Sequence, residues 1–239
     1  MTRSRLILPS LGVVLAGTAM IAAAAAPAAT RDWRVSGFDK VDLTAAATVQ
    51  IRNGADFAVH ADGDQDLIRQ LDIHPAQGTL IIGWVPGQGP RRIGNRRLTI
   101  TVTMPRISGA TVTGAGMVSI DRAEASNFSA RVGGAGTLKV AALRTGRASL
   151  DVSGAGTLDA AGSADRVIAN MSGVGSIRAG TLTARAGQID MSGTGSVTAR
   201  IDGPAEVTLS GIGSVNILGR PQCVVHKSGW GSVRCGATS

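Results

Sequence analysis

Residues 171–200 read MSGVGSIRAGTLTARAGQIDMSGTGSVTAR, so that MSGVGSIRA at 171–179 returns twenty positions later as MSGTGSVTA at 191–199. The signature continues outward in both directions. Aligned on the first glycine, the copies are VTGAGMVSI, VGGAGTLKV, VSGAGTLDA, MSGVGSIRA, MSGTGSVTA, LSGIGSVNI and KSGWGSVRC. Their Gly-x-Gly corners start at Gly114, Gly134, Gly154, Gly173, Gly193, Gly211 and Gly229, in steps of 20, 20, 19, 20, 18 and 18 residues. A fixed period near twenty implies one structural unit stacked on itself.

Read as columns, the copies alternate apolar and polar positions at period two, which is a strand pattern. Two residues before the first glycine stand Val112, Val132, Val152, Met171, Met191, Leu209 and finally Lys227. Four residues after it stand Val118, Leu138, Leu158, Ile177, Val197, Val215 and Val233, and two further on Ile120, Val140, Ala160, Ala179, Ala199, Ile217 and Cys235. Each copy therefore supplies two strands around a glycine corner, where the missing Cβ permits close approach. One rung buries about four aliphatic side chains, roughly 6–12 kcal/mol. Ordering its backbone costs at least as much, at about 1–2 kcal/mol per residue. A lone rung is unstable and neighbours must supply the rest, so the pattern predicts an all-β parallel solenoid, its seven rungs about 34 Å long at the inter-strand spacing.

An open last rung is a template for aggregation. At the final copy Lys227 replaces an aliphatic residue and Trp230 is expected to fill the corner. Cys223 and Cys235, the only cysteines, are expected to form a disulfide that staples the last turn, as an oxidising compartment favours.

The N-terminus reads as an export leader over residues 1–29. Arg3 and Arg5 precede an uncharged apolar run, too short at 11–21 to span a bilayer, and then small residues, with cleavage expected between 24 and 29. No cysteine there suggests lipid attachment, and no later stretch is apolar enough for a span. The net charge is +8, or +6 once Arg3 and Arg5 leave. An exported basic chain meets anionic lipid, lipopolysaccharide or acidic glycan rather than nucleic acid. Six aromatic residues and no tyrosine cannot furnish the girdles of a membrane barrel.

Residues 30–109 lack the glycine signature yet alternate similarly at Val41/Leu43, Val49/Ile51, Phe57/Val59, Leu80/Ile82 and Leu98/Ile100/Val102. Residues 62–71 form the one candidate helix, capped by Asp62 or Asp64. Residues 85–95 read as a loop, and Pro105 marks the step into the repeats at 110–239. The simplest arrangement is an N-terminal β-rich cap on the solenoid, with a separate β-sandwich second.

The S-G-x-G-S-[VI] copies, preceded by FDKVDLTAAATVQIRNG at 38–54, TLIIGW at 79–84 and RRLTITVTMP at 96–105, resemble the bacterial family called "putative auto-transporter adhesin, head GIN domain" over about residues 35–220. The resemblance implies an exported right-handed parallel β-helix with a β-rich N-terminal part and an adhesin-like role. It carries over no catalytic motif, and this sequence has no membrane barrel for self-translocation.

Chemistry in the rungs is sparse. The hydroxyl columns Thr113, Ser153, Ser172, Ser192, Ser210, Ser228 and Thr137, Thr157, Ser176, Ser196, Ser214, Ser232 are expected to hydrogen-bond along the stack rather than to bind glycan. Asp151, Asp159 and Asp190 offer carboxylates for glycoside chemistry, but Arg131, Lys139 and Arg178 on adjacent rungs read as their partners in a salt ladder. His60, His74 and His226 are scattered, without nucleophile or metal-ligand spacing. Neither a phosphate loop nor the calcium-binding glycine nonapeptide is present, so no cofactor or metal is expected. Arg91, Arg92, Arg96 and Arg97 form the candidate anion site: four guanidinium groups in a glycine-rich loop can grip phosphate or carboxylate, or simply guard an edge as a solvated turn. The leading expectation is a non-enzymatic, exported, adhesin-like binding protein of the envelope, partnered by anionic glycan or lipopolysaccharide. A carbohydrate-active enzyme on a β-helix and a structural envelope component are the alternatives.

Overall fold

The computed structural model describes residues 28–89 and 97–237. The first strand, β1 (Ala28–Trp33), is followed by β2 (Lys40–Leu43), β3 (Thr48–Asn53), β4 (Ala58–Asp64), α1 (Gln65–Arg69), β5 (Leu71–Ala76), β6 (Thr79–Trp84) and β7 (Leu98–Met104). The repeats then contribute β8 (Gly109–Val112), β9 (Met117–Ile120), β10 (Ala123–Val132), β11 (Thr137–Val152), β12 (Thr157–Met171), β13 (Val174–Met191), β14 (Thr194–Ile201), β15 (Pro204–Leu209), β16 (Ile212–Leu218), β17 (Gln222–Lys227) and β18 (Trp230–Ala237).

The parallel stack follows the sequence columns. Val112, Val132, Val152, Met171, Met191, Leu209 and Lys227 stand in register on one side of the corner. Val118, Leu138, Leu158, Ile177, Val197, Val215 and Val233 do so on the other. Apart from the terminal Lys227 and Val233, these side chains are buried and form a continuous core. Corner amides bond to the rung beneath, as in Ser172 N–H to the Val152 carbonyl at 3.0 Å and Val174 N–H to the Gly154 carbonyl at 2.9 Å.

The corner glycines are required by stacking. A Cβ on Gly173 would lie 2.6 Å from the carbonyl carbon of Ser153 and overlap the carbonyl oxygen of Gly154, and the same collision repeats at Gly134, Gly154, Gly193, Gly211 and Gly229. The parallel stack also reaches back to β2 and β3, which lie between the first glycine rung and the β6–β7 rung. Their corner is Thr44-Ala45-Ala46-Ala47, without glycine. β6 ends at Trp84 and β7 begins at Leu98, so the stretch joining them is longer than a repeat corner.

The sequence columns show two strands per repeat; the structure adds a third side. The long strands β10 to β13 bend around it, pairing Ala123 with Leu143, Leu143 with Gly162 and Gly162 with Leu182. Register shifts fall where chains enter it, between Val140 and Leu143, Asp159 and Ala161, and Ala179 and Thr183. The uneven repeat length is absorbed there.

The first end of the core is closed. β4 runs antiparallel to β7, and β1 antiparallel to β4. β5 and β6 form a hairpin, and α1 crosses between β4 and β5 with Leu67 and Ile68 buried. Asp64 caps α1, its carboxylate accepting from the amides of Asp66 and Leu67 at 3.0 and 3.3 Å. This is a cap continuous with the solenoid sheets, in place of the alternative sandwich. The other end differs. Trp230 does not fill its corner: it is 88% exposed, because the residue between the two glycines points outward in every rung.

Candidate binding groove

The third side carries a groove of about 690 Å³ lined by Asp39, Lys40, Arg106, Ser108, residues 124–129, Arg147 and Ser149. Four separate elements position it, the start of β2 supplying Asp39 and Lys40. The turn between β7 and β8 brings Arg106 and Ser108, β10 brings Glu124 to Ser129 as it bends into its first side, and β11 brings Arg147 and Ser149. Phe128 closes the floor from within the core.

The polar groups divide into two sets. Ser108 donates to Asp39 Oδ2 at 2.6 Å, and Ser149 to Asp151 Oδ2 at 3.4 Å, so both hydroxyls serve the fold. Among the described residues, the side chains of Arg106, Arg147, Ser126, Asn127 and Ser129 make neither hydrogen bond nor ion pair. Arg147 also stands in register with exposed Arg166 on the next rung, a like-charge neighbour that offers no internal compensation. The arrangement can receive an anionic, hydroxyl-rich ligand: two guanidinium groups for charge-assisted hydrogen bonds and neutral groups between them for sugar hydroxyls.

The corner forms a second exposed strip. Ser153, Ser172, Ser192, Ser210 and Ser228 are exposed, and among the described residues their hydroxyls have no hydrogen-bond partner. Hydrogen bonding along the stack, expected for both hydroxyl columns, is realised between Thr157 and Ser176 at 3.4 Å and, in the other column, from Thr113 to Asp42 Oδ1 and the Leu43 carbonyl, each at 3.5 Å. The serines before the glycines point to solvent because their backbone amides already hold the rung below. Beside them Val174 and Ile212 are 62% and 59% exposed.

The salt ladder is present. Arg131 meets Asp151 at 3.6 Å and Arg178 meets Asp159 at 3.7 Å, while register places Lys139 opposite Asp159. Asn170 donates to Asp151 at 2.7 Å, and Gln188 to Asp190 at 3.1 Å. Asp151 and Asp159 lie on opposite sides of the corner and do not converge on one bond. His60 meets Asp32 at 2.7 Å and His74 meets Asp72 at 3.1 Å, each pair on the N-terminal cap, whereas His226 is exposed on β17. On the first side, burial pushes the Asp42 carboxyl above its ordinary range, partly opposed by the Thr113 hydroxyl.

Arg91, Arg92 and Arg96 lie outside the described residues. Arg97 is exposed beside the first corners, and its backbone carbonyl accepts the Asp64 amide at 3.1 Å. Sequence reading passed over Arg106 and Arg147, which are far apart in the chain. The disulfide between Cys223 and Cys235 is formed, with Cα atoms 6.6 Å apart. No helix among the described residues is long and apolar enough to cross a membrane.

A β-solenoid with a capped first end, a polar groove on one side and repetitive exposed corners is a repeat-protein architecture. The chain belongs to the family described as "Putative auto-transporter adhesin, head GIN domain", which it matches over residues 37–221. Among solved structures it is similar to a putative adhesin of Bacteroides fragilis, with a TM-score of 0.80 and 22% identity, covering 87% of this chain and 96% of that one. A putative lipid binding protein of Parabacteroides distasonis has a TM-score of 0.72 at 16% identity, covering 88% and 97%. A putative adhesin of Parabacteroides merdae has 0.65 at 14%, covering 87% and 95%. These likenesses establish the shared fold. No curated protein matches the sequence.

Proposed function

We propose that this is an exported, non-enzymatic, adhesin-like protein of the bacterial envelope that holds an anionic glycan in its third-side groove. One observation carries the reading: Arg106 and Arg147 line a groove with Ser126, Asn127 and Ser129, and none of these side chains has an internal partner among the described residues. Lys40, Arg106 and Arg147 outnumber Asp39 and Glu124 in the lining, and this excess of positive charge favours an anionic ligand. The adhesin-like family agrees with a binding role.

Binding to arrayed uronate, sulfated and phosphorylated glycans tests it. Replacing both Arg106 and Arg147 with Gln is expected to weaken binding at least about 100-fold, since each lost charge-assisted hydrogen bond is worth roughly 1.5–3 kcal/mol. Unchanged affinity rejects the groove. The same assay with Arg91, Arg92, Arg96 and Arg97 all changed to Gln tests the arginine loop as a second anion site. Asp39 and Glu124 also line the groove and favour one other reading, hydrolysis of the bound glycan. Released fragments on mass analysis of the glycan would establish that activity, and intact glycan would exclude it.

Export through the N-terminal leader fits the disulfide. Ala28 and Ala29 pair with Asp64 and Gly63 in β1, so cleavage that preserves this strand falls before residue 28. N-terminal sequencing of the exported protein is expected to start at 25–28; a start beyond residue 30 would remove a strand the cap uses.

A further inference from the structure

The two ends of the solenoid differ in a way the groove does not explain. At the first end β1, α1 and β5 cover the core. At the last end the outer edges of β17 and β18 have no pairing strand among the described residues. Val225 occupies the inward column of Val207, yet Val225 is 42% exposed where Val207 is fully buried. Val224 is 57% exposed and Trp230 88%. From residue 219 onward the chain contains Arg220, Lys227 and Arg234 and no acidic residue, and all three cations are exposed. The nearest carboxylates, Asp202 and Glu206, lie one rung back, and Asp202 is engaged by the Arg220 backbone amide at 2.9 Å.

We propose that this terminal rung is a docking face for an anionic phospholipid surface, with the solenoid standing end-on. Trp230 projects from the corner and has the apolar body and polar N–H that suit the headgroup boundary. Val224 and Val225 extend the apolar rim, while Lys227, Arg234 and Arg220 surround it with the charge that anionic headgroups attract. Charge also decides against a second copy as the occupant. Two such ends brought together would place three cations against three cations with no acidic side chain of either rung between them. A lipid surface supplies the opposite charge, and its headgroups and water satisfy the open strand edges.

Flotation of the disulfide-intact protein with vesicles of phosphatidylcholine, alone or mixed with phosphatidylglycerol, tests the proposal. Binding is expected to the mixed vesicles and to be at least tenfold weaker to phosphatidylcholine alone. Changing Lys227 and Arg234 to Gln should weaken it about 25-fold, about fivefold per charge. Trp230→Ala should weaken it about tenfold, with Trp230→Phe retaining most of the binding. Brominated lipid should quench tryptophan emission in the native chain and not in Trp230→Phe. The Arg106→Gln/Arg147→Gln protein should still bind vesicles, which separates this face from the glycan groove. Equal binding to both vesicle types, or native binding by Trp230→Ala, overturns the proposal. So does a lipid-free oligomer that shields Trp230 from aqueous quencher.

Discussion

Gly173→Ala and Gly193→Ala are each expected to destabilise the protein by about 3 kcal/mol or more, at the upper end of overpacking changes. At about 2–4 °C per kcal/mol for a chain of this size, the melting temperature should fall by roughly 6–12 °C. The obstacle is backbone. On Gly173 the new methyl would lie 2.6 Å from the Ser153 carbonyl carbon and overlap the Gly154 oxygen, and on Gly193 it would lie 2.8 Å from the Ser172 carbonyl carbon and overlap the Gly173 oxygen. A side chain could rotate away; these carbonyls accept the hydrogen bonds that join adjacent rungs, as Gly154 does from Val174 and Gly173 from Thr194. Relief therefore requires the rungs to separate.

Gly133 provides the control within the same signature. Its Cβ would have only Ser153 Oγ and Thr113 Cγ2 nearby, both at 3.8 Å. Serine or threonine occupies the equivalent position in every other copy. Gly133→Ala should change stability by less than about 1 kcal/mol, in the stabilising direction, because it restricts only the unfolded chain. Thermal unfolding of the variants, followed by circular dichroism, distinguishes the two classes. Equal losses at Gly133 and Gly173 would mean that something other than the missing Cβ sets the requirement.

The reason for each glycine also explains which parts of the structure were legible in the sequence. Beside the corner, every residue faces its equivalent one rung away, so the same steric and apolar demands recur and write themselves as columns. The third side has no such constraint. Register shifts enter there, buried Ala123 and Leu143 align with an exposed glycine, Gly162, and no column forms. The groove was hidden for that reason: Arg106 and Arg147 belong to different turns and line one groove only after the coil closes. β1 was hidden because ATRDW carries no apolar alternation; it pairs as an edge strand through its backbone, with a mostly exposed face. The outward course of Trp230, by contrast, had a signal. Thr194 occupies the same place between two glycines, and a polar residue there marks a solvent-facing column.

Replacing Cys223 and Cys235 with serine is expected to release the last rung while leaving the rest of the stack folded. The bridge joins the start of β17 to β18 where the chain would otherwise turn onto the next third side. Closing this loop limits the unfolded chain by about 3 kcal/mol in the loop-entropy account. Elsewhere in the solenoid that sum would be shared with two neighbouring rungs. The last rung has one, and its Val225 and Lys227 bury far less than Val207 and Leu209 beneath them. Loss of the bridge therefore falls on a unit with little burial of its own, and local opening should precede global unfolding. Hydrogen exchange should accelerate across 222–237 and remain native across 109–201, and trypsin should cut first at Lys227 and Arg234. Native protection of 222–237 in the serine variant would show that stacking on β15 and β16 suffices without the disulfide. If the rung does open, vesicle binding should fall with it, since Trp230, Lys227 and Arg234 share a docking face only while β17 and β18 are held in register.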